Sequence, residues 1–512
     1  RSSPQTNIKI SMVDNLEICH PRQMKLRGFE RLVTMVDNVS MKIVHSMLVT
    51  GDAKALLRFL PTALMQTFNT HPRMRAVQIE GQDFIAAIQE PLSLDDISNK
   101  NLLRVQEFYL PTQENFDNWQ KYVEDECNVG FDRYKQLPFF LTVWVDEKAG
   151  QARLMLFSDH YMSDGYSGMV VLNDILEHIA TLATQTSPTQ TQELPLRPSF
   201  YDMWLSKKPL LKALYKGVIM MFGKTIFRNE MKKFQPVLPA RADQHDFVIP
   251  PVSNSSTASF AEGNPTSMRK ALVKCKDEGV TFGGAVVCAT LLAFYHAARG
   301  LQRFDATQPF KLVIELDYNM RRRVPQPVQE DPVGTYVTFA NLERLASEGV
   351  DLKTTKFWDL ARQSKREIDS KVRETMSIAA LPIIFDQQIN AKTQLSFATA
   401  LNIRHSQTSD VNLSNVGRYP FAKEYLLSLN NDCDSKKKLL EVKTLHVYNS
   451  MPHLGPSAVL WVSSVASFCY SMGHKCEDDS AKALFHAFVA VCESIGNIGA
   501  DASMADVLGQ LE

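Results

Sequence analysis

Apolar positions along this chain follow two rhythms, one helical and one extended. From Ala53 to Thr70, Leu56, Leu57, Leu60, Leu64 and Phe68 recur at near-helical spacing. Pro61 either starts that helix or interrupts it. The wider stretch 28–75 reads as helical, and an extended run opens at Ala76. Pro138 to Asp146 and Ala152 to Ser158 are β-rich, and the Gly-bearing link Glu147 to Gly150 between them is a hairpin signal. From Met169 to Ala183, Val170, Leu172, Ile175, Leu176 and Ile179 form one apolar helical face, in a helix that begins near Ser167.

Thr184 to Pro198 is polar, Pro-containing and aperiodic, which predicts a linker or surface crossover. Ser199 to Phe234 is helical in pattern. Its apolar band from Leu210 to Phe227, studded with Lys212, Lys216 and Lys224, is expected to pack against the body; a membrane-surface helix is the alternative. Pro236 to Pro265 is loop-like. Regular patterns resume at Thr266 with a helix ending at Gly279, then a buried helix from Phe282 to Arg299. Lys311 to Asn319 and Val333 to Leu342 are predicted strands, and Thr355 to Glu374 an amphipathic helix. Strand signals return at Val411 to Ser414, Leu440 to Tyr448 and Ala458 to Tyr470, before a closing helix from Asp478 to Ile495. Both halves mix strands and helices, an α/β plan built twice. The implied division is 1–198, a helical crossover and linker at 199–265, and 266–512.

At 512 residues the chain is too long for one ordinary core, in keeping with two domains of roughly 200 to 250 residues. Its 56 basic and 56 acidic residues cancel, so no general electrostatic pull draws it to nucleic acid or to an anionic membrane. The eight cysteines contain no Cys-x-x-Cys pair, and several sit in apolar surroundings, as in a reducing, cytoplasmic setting. No uninterrupted apolar stretch approaches the ~20 residues of a membrane span. The chain opens on Arg1 rather than Met, which leaves its natural N-terminus, and any removed targeting segment, open.

His160-Tyr161-Met162-Ser163-Asp164-Gly165 follows the second hairpin strand and precedes the helix at Ser167. A His-x-x-x-Asp-Gly loop at a strand end can project one imidazole into a cleft. An unperturbed imidazole titrates near pH ~6.5 and can take a proton at neutral pH. Asp164 is placed to organise the loop, or to cap the helix, rather than to touch the ring. A buried carboxylate needs a cationic partner, and Arg321, at the end of an apolar strand, offers one. Near Asn412-Leu413-Ser414-Asn415-Val416-Gly417 a β run stops at small polar residues, where Ser414 and Asn415 expose donors suited to an oxyanion or a carbonyl.

The chain resembles the chloramphenicol-acetyltransferase-like superfamily, in its alcohol acetyltransferase and condensation-domain-like branch. The run His160 to Gly168, the segment Thr70 to Arg75, Tyr318-Asn319-Met320-Arg321, Val333 to Tyr336 and Leu413 to Gly417 carry the resemblance over nearly the whole chain. It implies an α/β fold of two subdomains related by a pseudo-twofold, with a tunnel between them. It implies that His160 is the general base, that Asp164 and Gly165 hold its loop by way of Arg321, and that Ser414 and Asn415 line the site. The donor would be acyl-CoA, a co-substrate rather than a bound cofactor, and the acceptor a small alcohol or amine. The protein is expected to be a monomer, with the Leu210 to Phe227 band covering the acyl tunnel as an alternative to packing.

Asp159-His160 stands where condensation domains carry two adjacent histidines, and no Asp-Phe-Gly-Trp-Gly string occurs, which favours the acetyltransferase side. A carrier-protein-dependent condensation enzyme and a non-catalytic binding protein that keeps the fold are the alternatives. Gly223-Lys224-Thr225 lacks the first glycine of a P-loop, and Gly165-Tyr166-Ser167-Gly168 is one residue short of a nucleophile elbow. No spacing suggests a metal site. Lys436 to Lys438 reads as an exposed basic run, with contact to donor phosphates as the sharper option.

Overall fold

The computed structural model describes residues 22–35, 40–108, 116–184, 191–248, 255–302, 304–324, 333–373, 382–387, 401–427 and 439–510. Its strands in chain order are β1 (Gln23–Lys25), β2 (Lys42–Gly51), β3 (Ala76–Gln78), β4 (Ile85–Ile88), β5 (Leu103–Glu107), β6 (Phe139–Asp146), β7 (Gln151–Asp159), β8 (Thr257–Glu262), β9 (Ile314–Asn319), β10 (Val337–Asn341), β11 (Gln407–Arg418), β12 (Glu424–Leu426), β13 (Leu439–Asn449), β14 (Gly455–Ser464) and β15 (Phe468–His474). They form one six-stranded sheet in the order β12-β13-β2-β7-β6-β5, a second in the order β10-β9-β11-β14-β15-β8, and a small sheet β1-β4-β3. Both large sheets are mixed: β5 runs parallel to β6, and β11 runs parallel to β9 and β14.

Each large sheet carries its own helices and core. Ala53–Thr70 and Ser167–Thr184 pack together over the first, and Phe282–Ala298, Phe357–Arg373 and Asp478–Ser494 over the second. A third cluster, with Ile43, Val447 and Tyr448 from the first sheet and Val459 and Trp461 from the second, fills the space between them. The result is a two-lobed α/β protein.

Several elements depart from the sequence pattern for identifiable reasons. The stretch 28–75 is not all helix: β2 lies in its middle, buried and flanked by β13 and β7. Ile43, Val44, Met47 and Leu48 mimic helical spacing, but a strand covered on both faces needs no alternation, and β-branched residues suit it. Ala53–Thr70 is one helix with Pro61 inside it, begun by Asp52, whose side chain accepts from the Ala55 N–H at 2.9 Å. The run Ala458 to Tyr470 is two strands, β14 and β15, folded as an antiparallel hairpin. The predicted linker 199–265 supplies β8 to the edge of the second sheet. Conversely β12 and β13, from within 266–512, join the first sheet. The lobes are therefore laced together and do not follow a cut at residue 265. The band Leu210 to Phe227 lies on the helix Pro209–Lys233, which packs against the body along one face only, through Tyr215, Ile219, Gly223 and Phe227, and leaves most of its other large apolar residues exposed. Lys436 to Lys438 lies outside the described residues.

Candidate active site

β7 delivers His160 to the junction of the two lobes. The His160 N–H donates to the Met41 carbonyl at 2.9 Å, and the Thr335 hydroxyl, from the second lobe, donates to the His160 carbonyl at 2.7 Å. One residue earlier, Asp159 forms a fully buried ion pair with Arg133 at 2.7 Å, which fixes the strand end. The imidazole is half-buried and tilts against Phe29, ring centroids 5.5 Å apart. Its Nδ1 is sealed from solvent and has no hydrogen-bond partner among the described residues. That leaves Nε2 as the nitrogen open to a substrate.

Asp164 is used elsewhere. Its two oxygens accept from both terminal nitrogens of Arg321, each at 2.9 Å, in a buried bidentate pair between the lobes. It also accepts from the backbone N–H groups of Ser167 and Tyr336 at 2.9 Å, so it caps the following helix and clamps the second lobe at once. Burial opposes its charge, but the guanidinium and these donors outweigh burial and hold its pKa below the ordinary carboxylate value. The Arg321 guanidinium lies between Tyr166 and Tyr336, 4.8 and 5.0 Å from their centroids. Arg322 and Arg323, by contrast, are exposed.

Gly165 turns its carbonyl to His45 of β2, whose Nε2 lies 2.9 Å away. Burial pushes the His45 pKa down to about 4, so the ring is neutral and donates through Nε2. A Cβ on Gly168 would come within 2.1 Å of the His45 ring, so this position has room only for glycine. The Thr70 to Arg75 segment is not at the His160 ring. It is a hub: His71 meets Asp174 at 2.6 Å, Arg73 meets Glu30 at 2.9 Å, and Arg75 pairs with Glu193 of the crossover.

Ser414 and Asn415 part company. β11 does not stop there but runs to Arg418, so neighbouring side chains point to opposite faces. Ser414 turns toward Asp317 of β9, which also accepts from the Asn412 amide at 2.9 Å. Asn415 and Gly417 line a cavity of about 520 Å³. Its lining includes the cations Arg269, Arg418 and Lys423, the aromatics Phe282 and Phe468, and no carboxylate. Val416 turns back toward the Gly165 loop, 3.6 Å from where a Cβ would stand.

Asp317 is the functional candidate that sequence reading missed, along with His45, Arg133 and Thr335. Phe339 pairs with it across the β9–β10 ladder and therefore shares its face. Phe339 meets Phe29 at 6.3 Å, and Phe29 meets His160, so that face confronts the imidazole. Burial raises the Asp317 pKa, against the hydrogen bonds of Asn412 and Ser414 and the nearby His160. Two residues away on the same face, burial pushes Glu315 up to about 7. The available signal was the alternation Glu315-Leu316-Asp317, an unusual pair of carboxylates in an otherwise apolar strand.

A model of the alcohol acetyltransferase family matches residues 71–438. No curated protein sequence matches the chain. Among solved structures it is similar to the trichothecene 15-O-acetyltransferase TRI3 from Fusarium sporotrichioides, at 11% identity and TM-score 0.66, covering 92% of this chain and 95% of that one. The cyclization-docking bidomain of the EpoB nonribosomal peptide synthetase from Sorangium cellulosum shares the fold at 12% identity and TM-score 0.59, over 93% of this chain and 85% of that one. So does the condensation domain of the monacolin K polyketide synthase MokA, at 9% identity and TM-score 0.56, over 94% and 99%.

Proposed function

The chain belongs to the alcohol acetyltransferase family, and from that premise we propose that it transfers an acyl group from a CoA thioester to an alcohol, with His160 as general base. The observation that carries this reading is the division of labour in the loop. Asp164 is committed to Arg321, while the imidazole four residues earlier keeps one nitrogen open at the lobe junction. With the ring neutral and its hydrogen on Nδ1, Nε2 accepts the proton of the acceptor hydroxyl. The oxygen attacks the thioester carbonyl carbon directly, and the carbon–sulfur bond breaks as the tetrahedral intermediate collapses. The imidazolium then returns the proton to the departing thiolate, so no acyl-enzyme is formed. Asp317 faces the ring and stabilises the transient imidazolium, and Ser414 holds that carboxylate in place through its hydroxyl.

The cation-lined cavity supports CoA as donor. Lys423 and Arg418 lie close enough to depress the Lys423 pKa further after burial has lowered it, a site that gains from an anion. The thioester's phosphates supply that charge, and the aromatics supply a stacking surface for adenine. An amine acceptor would follow the same proton path.

The test is thiol release from acetyl-CoA with a panel of alcohols. Turnover is expected, and His160→Ala is expected to lose about 10²–10⁴-fold of it with an unchanged circular-dichroism spectrum. Undiminished turnover in that variant removes the base assignment. Activity with carrier-bound thioesters but none with CoA thioesters overturns the donor.

A further inference from the structure

We propose that the helix Pro209–Lys233 docks the protein onto an anionic phospholipid surface, lying in the plane of the interface. This goes beyond the acyl-transfer reading and does not depend on it.

The helix has 25 residues and is held to the body along one side only. Ile219 and Gly223 are buried there, with the position of a Gly223 Cβ 3.3 Å from Ile384, and the Lys212 ammonium donates to the Tyr201 carbonyl at 2.6 Å. Its large apolar side chains face water: Leu210 is 86% exposed, Met221 65%, Met220 62%, Leu214 61%, Ile226 59% and Phe222 52%. Large hydrophobes gathered on one element at that exposure mark an interaction surface, whereas single exposed ones need no explanation.

The charge on the helix selects the partner. Lys212 and Lys216 lie over the Tyr201 ring of the body, but Lys224, Arg228, Lys232 and Lys233 are exposed against one acidic residue, Glu230, on a chain whose net charge is zero. Leu210, Leu214, Met221, Arg228 and Lys232 are spaced by four and seven residues, so they form one stripe on the side away from Ile219 and Gly223. Along that stripe the apolar residues come first and the cations follow. Apolar side chains that enter the acyl boundary beside cations that meet headgroup phosphates are the recognition chemistry of an interfacial helix on an anionic leaflet. Among the described residues no single helix is long and apolar enough to cross a membrane, so the attachment is peripheral.

The test is flotation of the full chain with vesicles of phosphatidylcholine alone, or with about 30% phosphatidylserine. Binding to the serine-containing vesicles is expected, weaker by about tenfold or more on neutral vesicles and at high salt. The double variant Leu210→Glu/Met221→Glu is expected to lose about tenfold or more of that binding while thiol release in vesicle-free solution is unchanged. Arg228→Glu/Lys232→Glu is expected to abolish the preference for anionic vesicles. Flotation with neither vesicle, or equal flotation of the Glu double variant, overturns the proposal. So does a dimer, seen by light scattering, that the same double variant dissolves, because it assigns the face to a second copy.

Discussion

Asp164 and Asp317 are both buried carboxylates of one site, and their surroundings set them to different work. Asp164 meets a guanidinium and three backbone donors, which keep it ionised and immobile. Asp317 has an amide, a hydroxyl and a neighbouring carboxyl on the same strand face, and burial raises its pKa. Among the charges acting on it His160 opposes that rise, and in the proposed mechanism this ring becomes a cation. A carboxylate facing an imidazole stabilises the imidazolium that forms when the ring takes a proton. Asp317→Asn, which keeps the shape and the contact with Asn412, is therefore expected to reduce kcat by roughly tenfold with little change in KM. An undiminished kcat rejects the electrostatic role. Steady-state kinetics with acetyl-CoA and a saturating alcohol is the measurement.

Among the elements, the strand end β9–Arg321 and the loop after β7 form one device. The loop carries the proposed base and the clamp four residues apart, and β9 with the turn that follows it carries the second carboxylate and the arginine four residues apart. Closing the Asp164–Arg321 pair across the lobes sets His160 opposite Asp317. Arg321→Ala strands a buried carboxylate, at a cost of about 3–5 kcal/mol. Arg321→Lys restores charge but not the fork that grips both oxygens, so it is expected to recover part of the stability in urea unfolding and little of the activity. Equal recovery of both would mean that the fork does not position the loop. The sequence made this pair legible because a buried acid and an arginine at an apolar strand's end call for each other. It did not make β2 legible. His45 rides on that strand, and with β2 read as helix nothing pointed to the ring that supports the Gly165 carbonyl and requires Gly168. Asp317 was hidden for a related reason: a strand in register beside β11 can be recognised from its apolar residues, but which of its polar residues faces the imidazole depends on Phe339 and Phe29, which are remote in sequence.

At the scale of the whole molecule, the two lobes are not separable halves. β13 pairs with β2 from Leu440 opposite Gly51 to Asn449 opposite Ile43, so the first sheet's central strand is bounded by a segment from the chain's last quarter. β8 goes the other way and edges the second sheet from before the nominal boundary. A fragment of residues 1–265 would leave β2 as an edge strand. Ile43, Val44, Met47 and Val49 would lose neighbours, and a row of unpaired N–H and C=O groups would be open to other chains. Such a fragment is expected to aggregate or to lack a cooperative thermal transition, whereas the intact chain is expected to unfold with its lobes coupled. Circular dichroism and light scattering of the fragment beside the full chain measure this. A monomeric fragment with a sharp transition of its own would show that the strand exchange is dispensable for the first lobe. The exchange also bears on catalysis. The proposed base His160 follows directly on β7, next to β2, while Asp317 stands on β9 and Arg321, which grips Asp164, lies two residues beyond that strand's end, so the distance between His160 and Asp317 is set by how rigidly the lobes are joined. A crossing strand and the apolar layer between the sheets hold that distance in a way that a flexible linker between closed halves could not.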